Sequence, residues 1–298
     1  MEINVFLRKS FESALWGASH LRSANFVNAA HSIEQMFQKL VISSSDSVTG
    51  LVQRTFFFER LMETLEEKLP HFEKTGECVW APDVEVNFIA GDLAFLAYYN
   101  AMSHAKGDEV LVRMAQIFKH RFIDSWVARM GGDEFAAFTT TPVQQTYAMM
   151  QAVSEEVSEK PLQYLNLGHA SLADVWTFFE GYGVPTTRRL KTAANVLADI
   201  AMTRAQIKKI YERIDLFVDL YRRHDGSYED LVAVARKGAA GVEDTHIAEW
   251  AIRLEAGENI APECLIFALE KKRTAMRDAG PYYAAIFEVA ERTFFTPR

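Results

Sequence analysis

Apolar residues recur along this chain at helical spacing, then in short dense runs, then at helical spacing again. Residues 5–42 carry Phe6, Leu7, Phe11, Leu15, Leu21, Phe26, Ile33, Met36, Phe37 and Leu40, a spacing that predicts two helices. Ser43 to Ser47 follow as a polar joint suited to a domain entrance. Phe56, Leu61, Leu65 and Leu69 predict a helix over 55–69, stopped by Pro70. Val84–Ala90 alternates and then turns wholly apolar, as a central strand would, and Gly91-Asp92 closes it. Helices are predicted over 93–102 and from about 106 to 121. Val127–Met130 and Phe135–Phe138 have strand character, and Gly131-Gly132 between them can supply the positive φ of a tight turn, which predicts a hairpin. A helix over 143–159, a strand over 162–170, a helix over 190–209 and an edge strand over 212–218 complete this part. Residues 171–188, with Trp176, Phe178, Phe179, Gly181, Gly183 and Pro185, show no assignable period. From Gly226 onward roughly four helices are expected, opening at Ser227-Tyr228-Glu229-Asp230, which has the form of a capping box.

The order β, α, α, β-hairpin, α, β, α predicts an α+β fold. It divides the chain into an N-terminal helical extension (1–44), a main domain (45–218) and a C-terminal all-α segment (219–298). Composition keeps this picture within ordinary globular protein: of 298 residues, 49% are hydrophobic and 24% charged. The net charge of −8 argues against nucleic acid or anionic membrane as a partner, so any nucleotide must be held by local groups. Cys78 and Cys264 are too few for a disulfide framework and have no Cys or His at ligand spacing, which fits a reducing cytoplasm. The first residues lack the layout of a secretion signal, and no apolar run approaches the ~18 residues that spanning needs, so a cytoplasmic protein is expected. His246 near Glu249 and the run Lys271-Lys272-Arg273 read as solvated helix faces.

Candidate chemistry gathers at the hairpin. Asp133 and Glu134 are adjacent carboxylates beside a backbone without side chains, a combination suited to metal and phosphate, although an acidic turn can also be merely solvated. Asp92 is expected just beyond a strand's C-terminal edge, where a carboxylate can hold a cation beside the free N–H groups of the next helix. The stretch Ala128–Phe138, Ala-Arg-Met-Gly-Gly-Asp-Glu-Phe-Ala-Ala-Phe, resembles the signature of the GGDEF family, the diguanylate cyclases. Three further pieces resemble that family's pattern in order: Asp46-Ser47-Val48-Thr49-Gly50-Leu51 with Arg54, Gly107-Asp108-Glu109-Val110-Leu111, and Ala198-Asp199-Ile200-Ala201-Met202 with Ala205. They span about residues 45 to 215, and the element order matches the family's central mixed sheet with flanking helices.

The resemblance implies condensation of two GTP into cyclic di-GMP and pyrophosphate, with Mg²⁺ or Mn²⁺ as cofactor. It makes Glu134, Asp92 and the Leu93 carbonyl the metal ligands and sets Asp133 near the attacking 3′-hydroxyl. Gly131 and Gly132 would admit phosphate to the backbone, and Asn100 with Asp108 would read guanine. That register requires the connection between Asn100 and Gly107 to be one residue shorter than usual. Elsewhere the chain departs from the family. Leu96-Ala97 stand where it has Phe-Lys, and its late Lys and Arg fall on Gln206 and about Ile210, leaving Lys208 and Lys209 as possible substitutes. Arg121-Phe122-Ile123-Asp124 has the form of the product-inhibition motif, displaced by one residue. The family implies a homodimer when active, here set by the N-terminal helices, and the C-terminal helices would meet an unknown protein partner. The alternative to a cyclase is a degenerate module that receives GTP or cyclic di-GMP or serves as a scaffold. A third reading is synthesis of another cyclic dinucleotide.

Overall fold

A computed structural model of the protein describes residues 44–68, 84–94, 96–158, 165–184, 186–223 and 244–294. The helices expected over 5–42 and the capping box at Ser227 lie outside them. In chain order the elements are β1 (Val52–Gln53), α1 (Arg54–Lys68), β2 (Asn87–Leu93), α2 (Leu96–Met102), α3 (His104–Arg121), β3 (Trp126–Gly131), β4 (Glu134–Thr139), α4 (Val143–Ser158) and β5 (Leu165–Ser171). They continue with α5 (Leu172–Tyr182), α6 (Thr186–Arg223), α7 (Asp244–Glu255), α8 (Ala261–Asp278) and α9 (Pro281–Phe294). The strands form one mixed sheet in the order β1-β3-β4-β2-β5, with β1 parallel and β4 antiparallel to β3. This is the α+β fold the element order predicts.

Three expectations are corrected. The central strand is Asn87–Leu93 rather than Val84–Ala90, and it runs through Gly91-Asp92. Polar residues do not break it because they are satisfied: Asn87 donates from Nδ2 to the Thr141 carbonyl at 2.8 Å, and Asp92 has a cationic partner described below. The stretch without period, 171–188, contains α5. Leu172, Val175, Phe178 and Phe179 make its buried face, Asp174 accepts from the Ser171 N–H at 2.8 Å, and Gly183 ends it in the left-handed region at φ 68°. The edge strand expected at 212–218 is helix, part of a continuous α6. Ile207, Ile210, Ile214 and Val218 are buried three or four residues apart, so helical spacing overrides the strand preference of β-branched side chains.

The chain divides into two compact units, residues 1–88 with 93–165, and residues 89–92 with 166–298. In the first, Phe57 of α1 meets Phe138 and Phe88 edge-on, with ring centroids 5.1 and 5.7 Å apart, and Phe118 of α3 meets Phe135 at 5.6 Å. All five rings are fully buried, and each contributes about 1.5–3 kcal/mol by leaving water. The two faces of the hairpin are therefore fixed by α1 and α3.

In the second unit α6 is the centre. A Cβ on Gly168 of β5 would stand 1.9 Å from the Ala201 carbonyl oxygen, so only glycine lets the strand lie this close to the helix backbone. Arg204 of α6 is 5% exposed and forms a forked pair with Asp174, Nη1 to Oδ2 at 2.9 Å and Nη2 to Oδ1 at 2.6 Å. It also donates to the carbonyls of His169, Val289 and Ala290, which fastens β5, α5 and α9 to α6. Burial pushes the Asp174 carboxyl up, but the Arg204 bonds outweigh it and hold the group below its ordinary value. Tyr282 of α9 donates to Asp199 of α6 at 2.7 Å. Cys264 in α8 is fully buried, and burial pushes its thiol up to about 12, so it is no nucleophile.

Candidate functional site

The Gly-Gly-Asp-Glu turn is held from beneath by Arg129. Strands β3 and β4 pair from Trp126↔Phe138 to Gly131↔Glu134, with an irregularity between Arg129 and Gly131. Arg129 donates from Nε and Nη2 to the Gly132 carbonyl at 3.1 and 2.7 Å, and from Nη1 to both carboxylate oxygens of Asp46 at 3.2 and 3.3 Å. Asp46 also accepts from the Thr49 N–H and hydroxyl, at 2.8 and 2.7 Å. Burial alone would raise its carboxyl, but the Thr49 and Arg129 bonds outweigh that and hold it below the ordinary value. The Leu93 N–H donates to the Asp133 carbonyl at 2.9 Å. With its carbonyls thus engaged, the turn leaves Gly131 and Gly132 exposed and Asp133 and Glu134 half-buried. Gly132 has φ +20°, and a Cβ at Gly131 would lie 3.8 Å from Glu134 Oε2, so the carboxylate stands beside bare backbone. Sequence reasoning gave Arg129 no role. The signal was present, since Arg129 and Asp46 both lie in the motif stretches, but no spacing rule joins residues 83 apart.

Asn100 lies in the last turn of α2, and Asp108 lies in the first turns of α3, whose N-cap Ser103 accepts from the Lys106 N–H at 3.1 Å. Between them Gly107 is buried, and a Cβ there would fall 1.8 Å from Asn100 Oδ1 and 2.9 Å from its Cγ. The Asn100 amide therefore rests on the bare Cα next to Asp108. This close approach accounts for a glycine inside a helix, where it is about 1 kcal/mol worse than alanine.

Asp92 is 6% exposed, and Lys209 of α6 places its ammonium 2.6 Å from Asp92 Oδ1. Asn166 donates from Nδ2 to the Asp92 carbonyl at 3.3 Å, fixing the backbone at this point. Lys208 turns elsewhere, 3.7 Å from Glu212, whose carboxyl burial pushes up despite that neighbour. Ile210 is buried and Gln206 half-buried. Arg121 pairs with Glu156 of α4 at 2.6 Å, while Asp124 sits exposed on the following loop with φ 62°. No described helix is long and apolar enough to cross a membrane.

Residues 43–209 match the family model described as "Diguanylate cyclase, GGDEF domain". Diguanylate cyclase TpbB of Pseudomonas aeruginosa is 38% identical over 92 residues, which are 30% of this chain and 19% of TpbB, so the similarity spans a small part of that relative. The coiled coil and GGDEF domain of DgcB from Caulobacter crescentus, solved in complex with c-di-GMP, is 17% identical with a TM-score of 0.41. That match covers 50% of this chain and 81% of the DgcB chain. A GGDEF-only structure of TpbB from P. aeruginosa is 24% identical with a TM-score of 0.39, covering 53% of this chain and 87% of the other. The family match takes in more than half of the residues, including the sheet, the Asp46 to Leu51 opening and the Gly-Gly-Asp-Glu turn that Arg129 ties to it, and by that match the chain belongs to the GGDEF family.

Proposed function

We propose that the protein is a diguanylate cyclase that condenses two GTP into cyclic di-GMP with release of two pyrophosphates. The observation that carries this reading is the intact Gly131-Gly132-Asp133-Glu134 turn, braced by Arg129 so that its carboxylates stand beside uncovered backbone. Each 3′-hydroxyl attacks the α-phosphorus of the other nucleotide; two P–O bonds form and two break. In this scheme the chain binds and orients. Gly131 and Gly132 admit phosphate to the main chain, Asp133 lies beside the attacking hydroxyl, and Asn100 with Asp108 meets the guanine edge.

The donor set fits a hard divalent cation. Asp92, Glu134 and the Leu93 carbonyl offer oxygen, and Asp92 already holds a cation in the form of the Lys209 ammonium. Bound there, Mg²⁺ or Mn²⁺ would neutralise phosphate charge and ease loss of the hydroxyl proton.

Gly107→Ala tests the guanine-reading role. Helix preference favours alanine, so the melting temperature should hold or rise, yet displacement of Asn100 should weaken GTP binding about tenfold, read by calorimetry. Unchanged affinity would remove Asn100 from that role.

The runner-up is a nucleotide receptor or scaffold without turnover. It is favoured by Gln206 and the buried Ile210 at the family's basic positions, and by the engagement of Lys209 with Asp92. Since a site of this family holds one GTP and the bond needs two, activity requires a homodimer, which we assign to the N-terminal segment 1–44 preceding the GGDEF domain of residues 45–218. The helices of 219–298 are then left for a protein partner. The specific rate of cyclic di-GMP formation should accordingly rise with protein concentration until dimers saturate; tight GTP binding with no product at any concentration would select the receptor.

A further inference from the structure

The Lys209–Asp92 pair is the observation that the cyclase reading does not absorb. Asp92 is named as a metal carboxylate and Lys209 as a phosphate substitute, yet the two are bonded to each other at 2.6 Å across 117 residues of chain. Their side chains are 20% and 9% exposed, so the pair is shielded from bulk water and salt more than a surface pair would be. The carboxylate end is rigid. It belongs to a strand whose seven residues are all buried, and Asn166, 1% exposed, anchors its main-chain oxygen. The lysine end is a flexible stem on a helix one turn from Ala205, whose backbone packs on Gly168, so the helix stays while the ammonium can swing. A buried carboxylate needs a counter-charge, and here a covalently tethered monocation supplies it.

We propose that Lys209 is the resident cation of Asp92: its ammonium neutralises the carboxylate in the nucleotide-free protein and must leave before a divalent cation can bind there. The inference rests on the proposed cyclase site for the identity of Asp92 as a metal ligand, and it adds a threshold on metal loading that the site itself does not contain. A free divalent cation has to displace a partner held at hydrogen-bond distance. A cation that arrives with a polyphosphate brings anionic oxygens able to take over the displaced ammonium, so exchange is favoured only when nucleotide and metal come together. The pair would thereby keep the site from filling with metal alone.

Calorimetric titration of the full chain with Mn²⁺, in the absence of nucleotide, tests this. Lys209→Gln removes the tethered charge while keeping a good helix former of similar length, and should tighten Mn²⁺ binding about tenfold. Lys209→Arg keeps the charge and should bind Mn²⁺ as the native chain does. Adding Asp92→Asn to Lys209→Gln should abolish the gain, which identifies the ion being measured as the one at Asp92. Thermal melting of each variant confirms folding independently. Mn²⁺ affinity that is unchanged or weaker in Lys209→Gln overturns the proposal, as does a gain that survives Asp92→Asn. Because no GTP is present, the outcome is separable from turnover: tightened Mn²⁺ binding in Lys209→Gln together with a native chain that makes no cyclic di-GMP sinks the cyclase reading and supports the resident cation.

Discussion

Glu134→Gln should reduce cyclic di-GMP formation at least about a thousandfold while leaving the fold intact, since loss of one metal carboxylate withdraws several kcal/mol of transition-state stabilisation. Glu134 pairs opposite Gly131 at the end of the hairpin, and the turn is braced through Arg129, the Gly132 carbonyl and Asp46, none of which the substitution touches. Glutamine has the same shape and keeps one oxygen, so the hairpin register should survive and the melting temperature should stay within the small range of a surface change. The defect should appear in turnover, with GTP binding altered less, because the charge is needed most where phosphate charge is redistributed. Steady-state rates over a range of Mg²⁺ concentrations check this. Activity within tenfold of the native protein would remove Glu134 from the metal set.

The largest structural effect should come from Arg204→Met. The substitution leaves Asp174 ionised and partly buried beside the carbonyls of His169, Val289 and Ala290, which all lose a donor. Breaking such a pair from one side costs about 3–5 kcal/mol. For a unit of this size that lowers the melting temperature by about 6–20 °C. Adding Asp174→Leu should recover part of the loss, because the uncompensated charge is gone. The pair also sets an acid limit. Asp174 titrates lower in the folded protein than its unfolded value near 3.9, so its contribution is present above about pH 4 and is lost as pH falls through the folded value. Unfolding followed by circular dichroism between neutral and acid pH should show native stability falling toward that of Arg204→Met; a constant difference would mean the pair is not the titrating element.

What could be read from the sequence and what could not separates along physical lines. The hairpin was legible because Gly131-Gly132 and the flanking apolar runs are local signals, α1 followed from its apolar spacing, and α3 and α4 lie close to the helices expected over 106–121 and 143–159. Strand β2 was ended too early because Gly91-Asp92 reads as a break unless the partner of Asp92, Lys209, is known. Helix α6 was cut short because Ile210, Ile214 and Val218 carry strand preference that only packing overrules. Around the candidate site, the motif stretches were legible in the sequence, but the contacts that position them were not. Arg129 with Asp46, Asn100 over Gly107 and Lys209 on Asp92 are tertiary facts, and a one-dimensional pattern carries residue types without the pairings that folding makes between them.

The central claim is that the Gly-Gly-Asp-Glu turn is a working catalytic centre, and product analysis of the native protein tests it most directly. Protein at high concentration, incubated with GTP and Mg²⁺ and resolved by chromatography with mass detection, should yield cyclic di-GMP with two GTP consumed and two pyrophosphates released per product. ATP in place of GTP should give no comparable product, since Asn100 and Asp108 face a guanine edge in this account. GTP recovered unchanged after hours, with the protein folded and Mg²⁺ saturating, would contradict it.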